Sequence, residues 1–167
     1  DANVFLENRA DSSDYGFWLG YSTGNTVQGN IILGSRSVGI AIEHGATNRL
    51  LSNLVMGGKT GILLFIRDSN GPASRDYVVD GNTIGGVTRG LVLRRTAHVR
   101  VRGNTFDGVD EGLVADSTGA DAQVTGNLFL RAQQYFIVAP ALTAGSNYWA
   151  AAIEAEAAAR VKGAVVV

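Results

Sequence analysis

A chain of 167 residues with a net charge of −1 is one domain by length and long enough to bury a core. Hydrophobic residues make up 46%, which excludes a disordered chain, and no apolar run approaches the roughly 18 residues of a membrane span. With no Cys, disulfides, thiolate metal sites and cysteine nucleophiles drop out, and the near-neutral charge argues against nucleic acid as a partner.

In chain order, short strand-like runs each end on Asn: Asn8 in VFLEN, Asn30 in TVQGN, Asn53 in LLSN, Asn82 in VVDGN, Asn104 in VRGN and Asn127 in VTGN. The spacings are 22, 23, 29, 22 and 23 residues, and Asn147 continues the series. A second marker keeps the same beat: Gly16 in GFWL, Gly39 in GIAI, Gly61 in GILL, Gly90 in GLVL, Gly112 in GLVA, then Tyr135 in YFIV. Both markers share one seven-residue excess, which falls in the loop-like segment DSNGPASRD, residues 68–76. The pattern is a repeat with one insertion.

Each repeat reads as three short strands joined by turns, and such a coil buries its interior only by stacking on others. At a strand spacing of about 4.8 Å like residues line up, so the Asn side chains should form a ladder. The Asn residues themselves are expected to take the left-handed bend before the next strand. Residues 150–163 are Ala-rich with early Glu and late Arg and Lys, a short helix by composition and charge order. The expected organisation is therefore coils over 1–149 and a C-terminal helix and tail over 150–167, packing on the end or flank of the stack. An open first coil would expose strand edges, so an N-terminal segment or another subunit is expected to cover it.

The pattern "GN-apolar-apolar … GI-x-apolar" resembles right-handed parallel β-helix repeat proteins of the pectate-lyase-like superfold, over residues 1 to about 149. The resemblance implies an all-β, right-handed parallel β-helix, a single-stranded solenoid of about seven coils of 22–23 residues with a short helical cap. It also implies that the outward face of the first sheet, the one carrying the Gly marker, holds a saccharide cleft. A secreted or periplasmic location goes with that reading.

Strand alternation puts Trp18, Ala41, Leu63, Val92, Val114 and Ile137 at the first outward position after each marker. Gly20, Glu43, Phe65, Arg94, Asp116 and Ala139 hold the second. Lys59, Arg67, Arg89, Arg94 and Arg95 would gather within a few strand spacings and could hold uronate carboxylates by forked, charge-assisted bonds. Trp18 and Tyr21 could stack on pyranose rings, and Asp116 joins the substrate-binding set. Arg67 and Arg94 are the candidates for substrate carboxylates, and His44 or Glu43 for proton transfer. His98 reads as a surface residue. On the third sheet Ile31, Leu33, Leu54, Met56, Leu128 and Leu130 would form an exposed apolar run for the terminal helix to cover.

Enzymes of the resembled superfold imply further motifs, and this chain departs from them. The outward acids nearest Arg67 and Arg94 lie in separate coils and make no compact calcium cage. The paired-Asp and Arg-Ile-Lys motifs of the hydrolases are absent, as is the Asp-Pro-His-Asp motif of the epimerases, and Glu43-His44-Gly45 only partly echoes a GHG-like motif. The repeats also resemble those of β-helix proteins of copper-enzyme maturation. Two His on different faces, one Met and no Cys nevertheless argue against a copper or zinc site, and no cofactor is expected. The expected function is binding, and by extension lyase or hydrolase cleavage, of a polysaccharide on the first sheet. The alternative is a non-catalytic structural or adhesion module, a fragment of a longer β-helix.

Overall fold

A computed structural model describes residues 1–68, 73–116, 121–150 and 154–166. The chain winds into a parallel β-helix of about six turns, and every strand pairing in it is parallel. The second sheet stacks Val4–Leu6, Thr26–Gln28, Arg49–Leu51, Val78–Asp80, Arg100–Arg102 and Gln123–Thr125. The third sheet begins just after each ladder Asn. The first sheet follows, and in three coils it runs on from the third as one bent strand: Ile31–Glu43, Leu54–Phe65 and Thr83–Arg94. Inward positions carry Ile40, Ile62, Leu91 and Leu113 on the first sheet and Val27, Leu50, Val79, Val101 and Val124 on the second, all fully buried.

The Asn ladder is continuous from Asn8 to Asn147. In each step the backbone N–H and the Nδ2 of one Asn both donate to the Oδ1 of the next, as in Asn30 to Asn53 at 3.0 and 2.9 Å. The left-handed residue is not the Asn but the one before it: Glu7, Gly29, Ser52, Gly81, Gly103, Gly126 and Ser146 all have φ between 51° and 66°. That bend turns the corner and leaves the Asn amide aimed along the axis. A second, shorter ladder, unseen in the sequence, joins Asn3, Asn25 and Asn48. Tyr77 ends it, its buried hydroxyl donating to the Gly45 carbonyl at 2.7 Å and meeting Ser74 Oγ at 2.9 Å.

The Gly marker is a steric slot. A Cβ on Gly39 would lie 2.3 Å from Val55 Cγ1 and 2.6 Å from the Gly61 carbonyl oxygen, and the same crowding recurs at Gly16, Gly61, Gly90 and Gly112. Phe136, not Tyr135, continues this column, because Leu113 pairs with Ile137. The one-residue shift turns Ile137 and Ala139 inward, where they are buried, so neither belongs to the outward face.

At the C-terminal end Val161–Val166 pairs with Tyr135–Thr143 on the first sheet. The short helix Glu154–Ala159 rests Ala157 on the core. Arg160 lies over the Phe136 ring and donates to the Ala132 carbonyl. The helix therefore does not cover the third-sheet apolar run, and Ile31 and Met56 remain 37% and 36% exposed.

Candidate functional site

The strand register fixes the outward face of the first sheet. Trp18, Ala41, Leu63, Val92 and Val114 stand one above another, as do Gly20, Glu43, Phe65 and Arg94. Two groups of side chains rise from this face.

The first spans the three N-terminal coils. Glu43 is turned outward but its side chain is only 8% exposed, because Arg67, one coil further along, lies across it with Nε 3.2 Å from Oε1. The same guanidinium sits over the Trp18 indole at 5.5 Å, and Trp18 leans on Tyr15 at 4.5 Å. Arg67 is thus fixed by charge beneath and an aromatic face beside it. Next to this group Tyr21 and His44 leave their strands in the left-handed conformation, both at φ 51°. Their rings stack at 4.7 Å and 11°, and His44 Nε2 lies 3.9 Å from Asp68 Oδ1. His44 is buried, with Tyr21 as its lid. The adjacent residues Glu43 and His44 are engaged by different neighbours, as strand-to-turn geometry requires.

The second group forms a trough of about 320 Å³ over the next two coils, lined by Val92, Val114, Arg89, Glu111, Arg94 and Asp116 among others. Its floor is apolar. Arg89 pairs with Glu111 at 3.3 Å on one rim. On the other rim the Asp116 carboxylate accepts the Arg95 backbone N–H at 2.9 and 3.0 Å, and Arg94 is exposed. Five strand residues, roughly 16 Å, separate Arg89 from Arg94. Lys59 precedes Thr60, the partner of Arg89, and so stands on the Arg89 rim. Lys59 and Arg89 thus stand on one rim, and Arg67, Arg94 and Arg95 on the other.

Sequence reasoning missed Tyr15, which props Trp18, and the setting of His98. His98 is exposed, but it lies between Asp76 and Asp121 of the neighbouring coils. Asp76 and His98 share the left-handed conformation, at φ 61° and 52°, a signal available only after the coils were aligned. Donors for a soft or borderline metal are scarce. His44 lies under Tyr21 on one side of the solenoid, His98 is held by two carboxylates at another corner, and Met56 projects from the third sheet. Among the described residues no group of three or more His, Asp or Glu side chains is arranged to hold a metal ion.

Among solved structures, the chain is similar to the A-module of the mannuronan C-5 epimerase AlgE6 from Azotobacter vinelandii. The two are 17% identical with a TM-score of 0.64 over 84% of this chain, a likeness of fold. This chain spans 36% of that one, about a third of its length. No curated protein matches. The family described as "Periplasmic copper-binding protein (NosD)" matches residues 1–158, nearly the whole solenoid. By that match, and with the coil, ladder and Gly slot running through the same residues, the chain belongs to the NosD family.

Proposed function

We propose that this protein binds an acidic polysaccharide, in the periplasm or outside the cell, on the outward face of its first sheet. The observation that carries the reading is Arg67, held between Glu43 and Trp18 on the same face as a trough with an apolar floor and charged rims in the coils that follow. A guanidinium anchored through Nε keeps a planar fork suited to a carboxylate, and the Val92–Val114 floor suits the C–H face of a pyranose. Arg94 and Arg95 extend the cationic rim, Lys59 and Arg89 supply the opposite one, and Tyr21 offers a ring beside Trp18. The periplasmic location follows the family's description, and the polysaccharide follows the epimerase module's title together with this face. The copper in the family's description finds no fitting donor set among the described residues, and no step is assigned to it.

Cleavage is the extension of this reading, with Arg67 or Arg94 as carboxylate clamp or base and Glu43 or His44 moving the proton. Binding and product formation on neutral and uronate polysaccharides test both parts. Uronate polymers are expected to bind, and Arg67→Ala and Arg94→Ala to weaken binding at least tenfold with unchanged melting temperature, a loss of about 1.4 kcal/mol. Binding that ignores both substitutions would remove this face from the function. New reducing ends with an unsaturated-sugar absorbance would mean a lyase, and reducing ends alone a hydrolase. Silence on every substrate would favour the second reading, a structural or adhesion module, which the existing Arg67–Glu43 and Arg89–Glu111 pairings also suit.

A further inference from the structure

We infer that His98 is a protonation-dependent tie that fastens three successive coils at one corner of the solenoid. Thr96–Ala97 pairs with Ser74–Arg75, and Arg100–Arg102 pairs with both Val78–Asp80 and Gln123–Thr125. Asp76, His98 and Asp121 therefore stand in one column, each at the entry to a second-sheet strand. His98 Nδ1 lies 3.3 Å from Asp76 Oδ1, and Nε2 lies 3.1 Å from Asp121 Oδ2. The other Asp121 oxygen accepts the His98 backbone N–H at 2.9 Å.

A neutral imidazole carries one N–H, so it can donate to one carboxylate and turns a lone pair toward the other. The imidazolium donates to both, and only then are all three coils joined through the ring. The remaining charges at the corner are Arg75, paired with Asp76, and Arg100, which lines the same hollow of about 280 Å³ with Gln123. Neither guanidinium changes charge near neutrality, whereas histidine is the residue type that can gain or lose a proton there. Beneath the tie the corner is anchored at Tyr77, whose hydroxyl reaches Gly45 and whose carbonyl accepts the Arg100 N–H. Loss of the tie should loosen this corner and leave the Asn ladder intact.

Amide hydrogen exchange at pH 5.5 and 8.0, corrected for intrinsic rates, tests the inference. The Asp76, His98 and Arg100 amides should be several-fold better protected at the lower pH, a size set by the exposure of the pair. The Asn30 and Asn53 amides should show no such difference. In His98→Gln, which keeps a neutral polar side chain, the pH ratio at the corner should fall to one. In Asp121→Asn, which keeps an acceptor for the backbone N–H, it should shrink. A ratio unchanged in both variants, or a wild-type effect spread evenly over all coils, would overturn the proposal.

Discussion

Tyr77 shows how one side chain can replace a ladder step. Its column holds Asn25 and Asn48 in the two preceding coils and Val99 and Ala122 in the two that follow, so the tyrosine is where a polar column becomes apolar. Burial pushes its hydroxyl up to about 12, against hydrogen bonds that favour ionisation. The folded value lies above the ordinary one near 10, so its contribution is intact below about pH 10 and is lost as pH rises toward 12. Tyr77→Phe should cost roughly 1–3 kcal/mol at neutral pH, because Gly45 loses its donor. The variant should also lack the wild-type decline between pH 10 and 12 in denaturant melts; parallel curves for the two proteins would contradict this. At the acid end, Arg9, Arg36 and Arg131 hold the carboxyls of the exposed Asp11 and Asp14 and the part-buried Asp107 below the usual range. Their contribution is present above the ordinary carboxylate pKa of about 3.9 and lost as pH falls below it. Added salt should flatten that acid limb, since the pairs are solvated.

For the elements, the ladder and the Gly slot make separate predictions. Asn53→Leu takes the acceptor from the Asn30 N–H and a donor from the Val27 carbonyl in the buried wall, and should destabilise by about 2 kcal/mol or more. Asn8→Leu, at a part-exposed step, should cost clearly less; equal losses in thermal melts would speak against a ladder stabilised by burial. Gly39→Ala should cost roughly 1–3 kcal/mol by overpacking Val55. These features were legible because every coil needs the same residue at the same angle, so each need prints a beat in the sequence. The second ladder was not, since Asn3, Asn25 and Asn48 are too few for a rhythm and Tyr77 interrupts it. The shift from Tyr135 to Phe136 was hidden because an aromatic residue stands at both positions. The candidate site was legible as a face and not as contacts. Periodicity places Glu43, Arg67 and Trp18 on one side, but whether Arg67 spans a coil to cover Glu43 depends on side-chain reach, which leaves no periodic trace.

For the whole molecule, a solenoid in which each coil touches only its neighbours should loosen from its ends. Hydrogen exchange should be slowest around Ile62, Leu64 and Leu91, in coils with partners on both sides, and faster around Val4–Leu6; uniform rates would mean one cooperative unit instead. The seven extra residues after the first sheet of the third coil bear on this architecture differently. Asn53 and Asn82 are 29 positions apart, yet their amides meet at 2.9 Å, as do those of pairs 22 or 23 apart. Phe65 pairs with Arg94 and Ser74 with Thr96, so nine residues in one coil cover what two cover in the next. Height along the axis is thus counted in turns and not in amino acids, and all of the surplus falls between Phe65 and Ser74, at a single corner. Lengthening the chain there costs only loop closure, about 0.6 kcal/mol for each doubling, while one added residue anywhere in the wall would put every later side chain of that strand on the wrong face. That corner adjoins Arg67 and Asp68, so it is a port through which new loops can be fitted beside the proposed binding face while the scaffold stays unaltered.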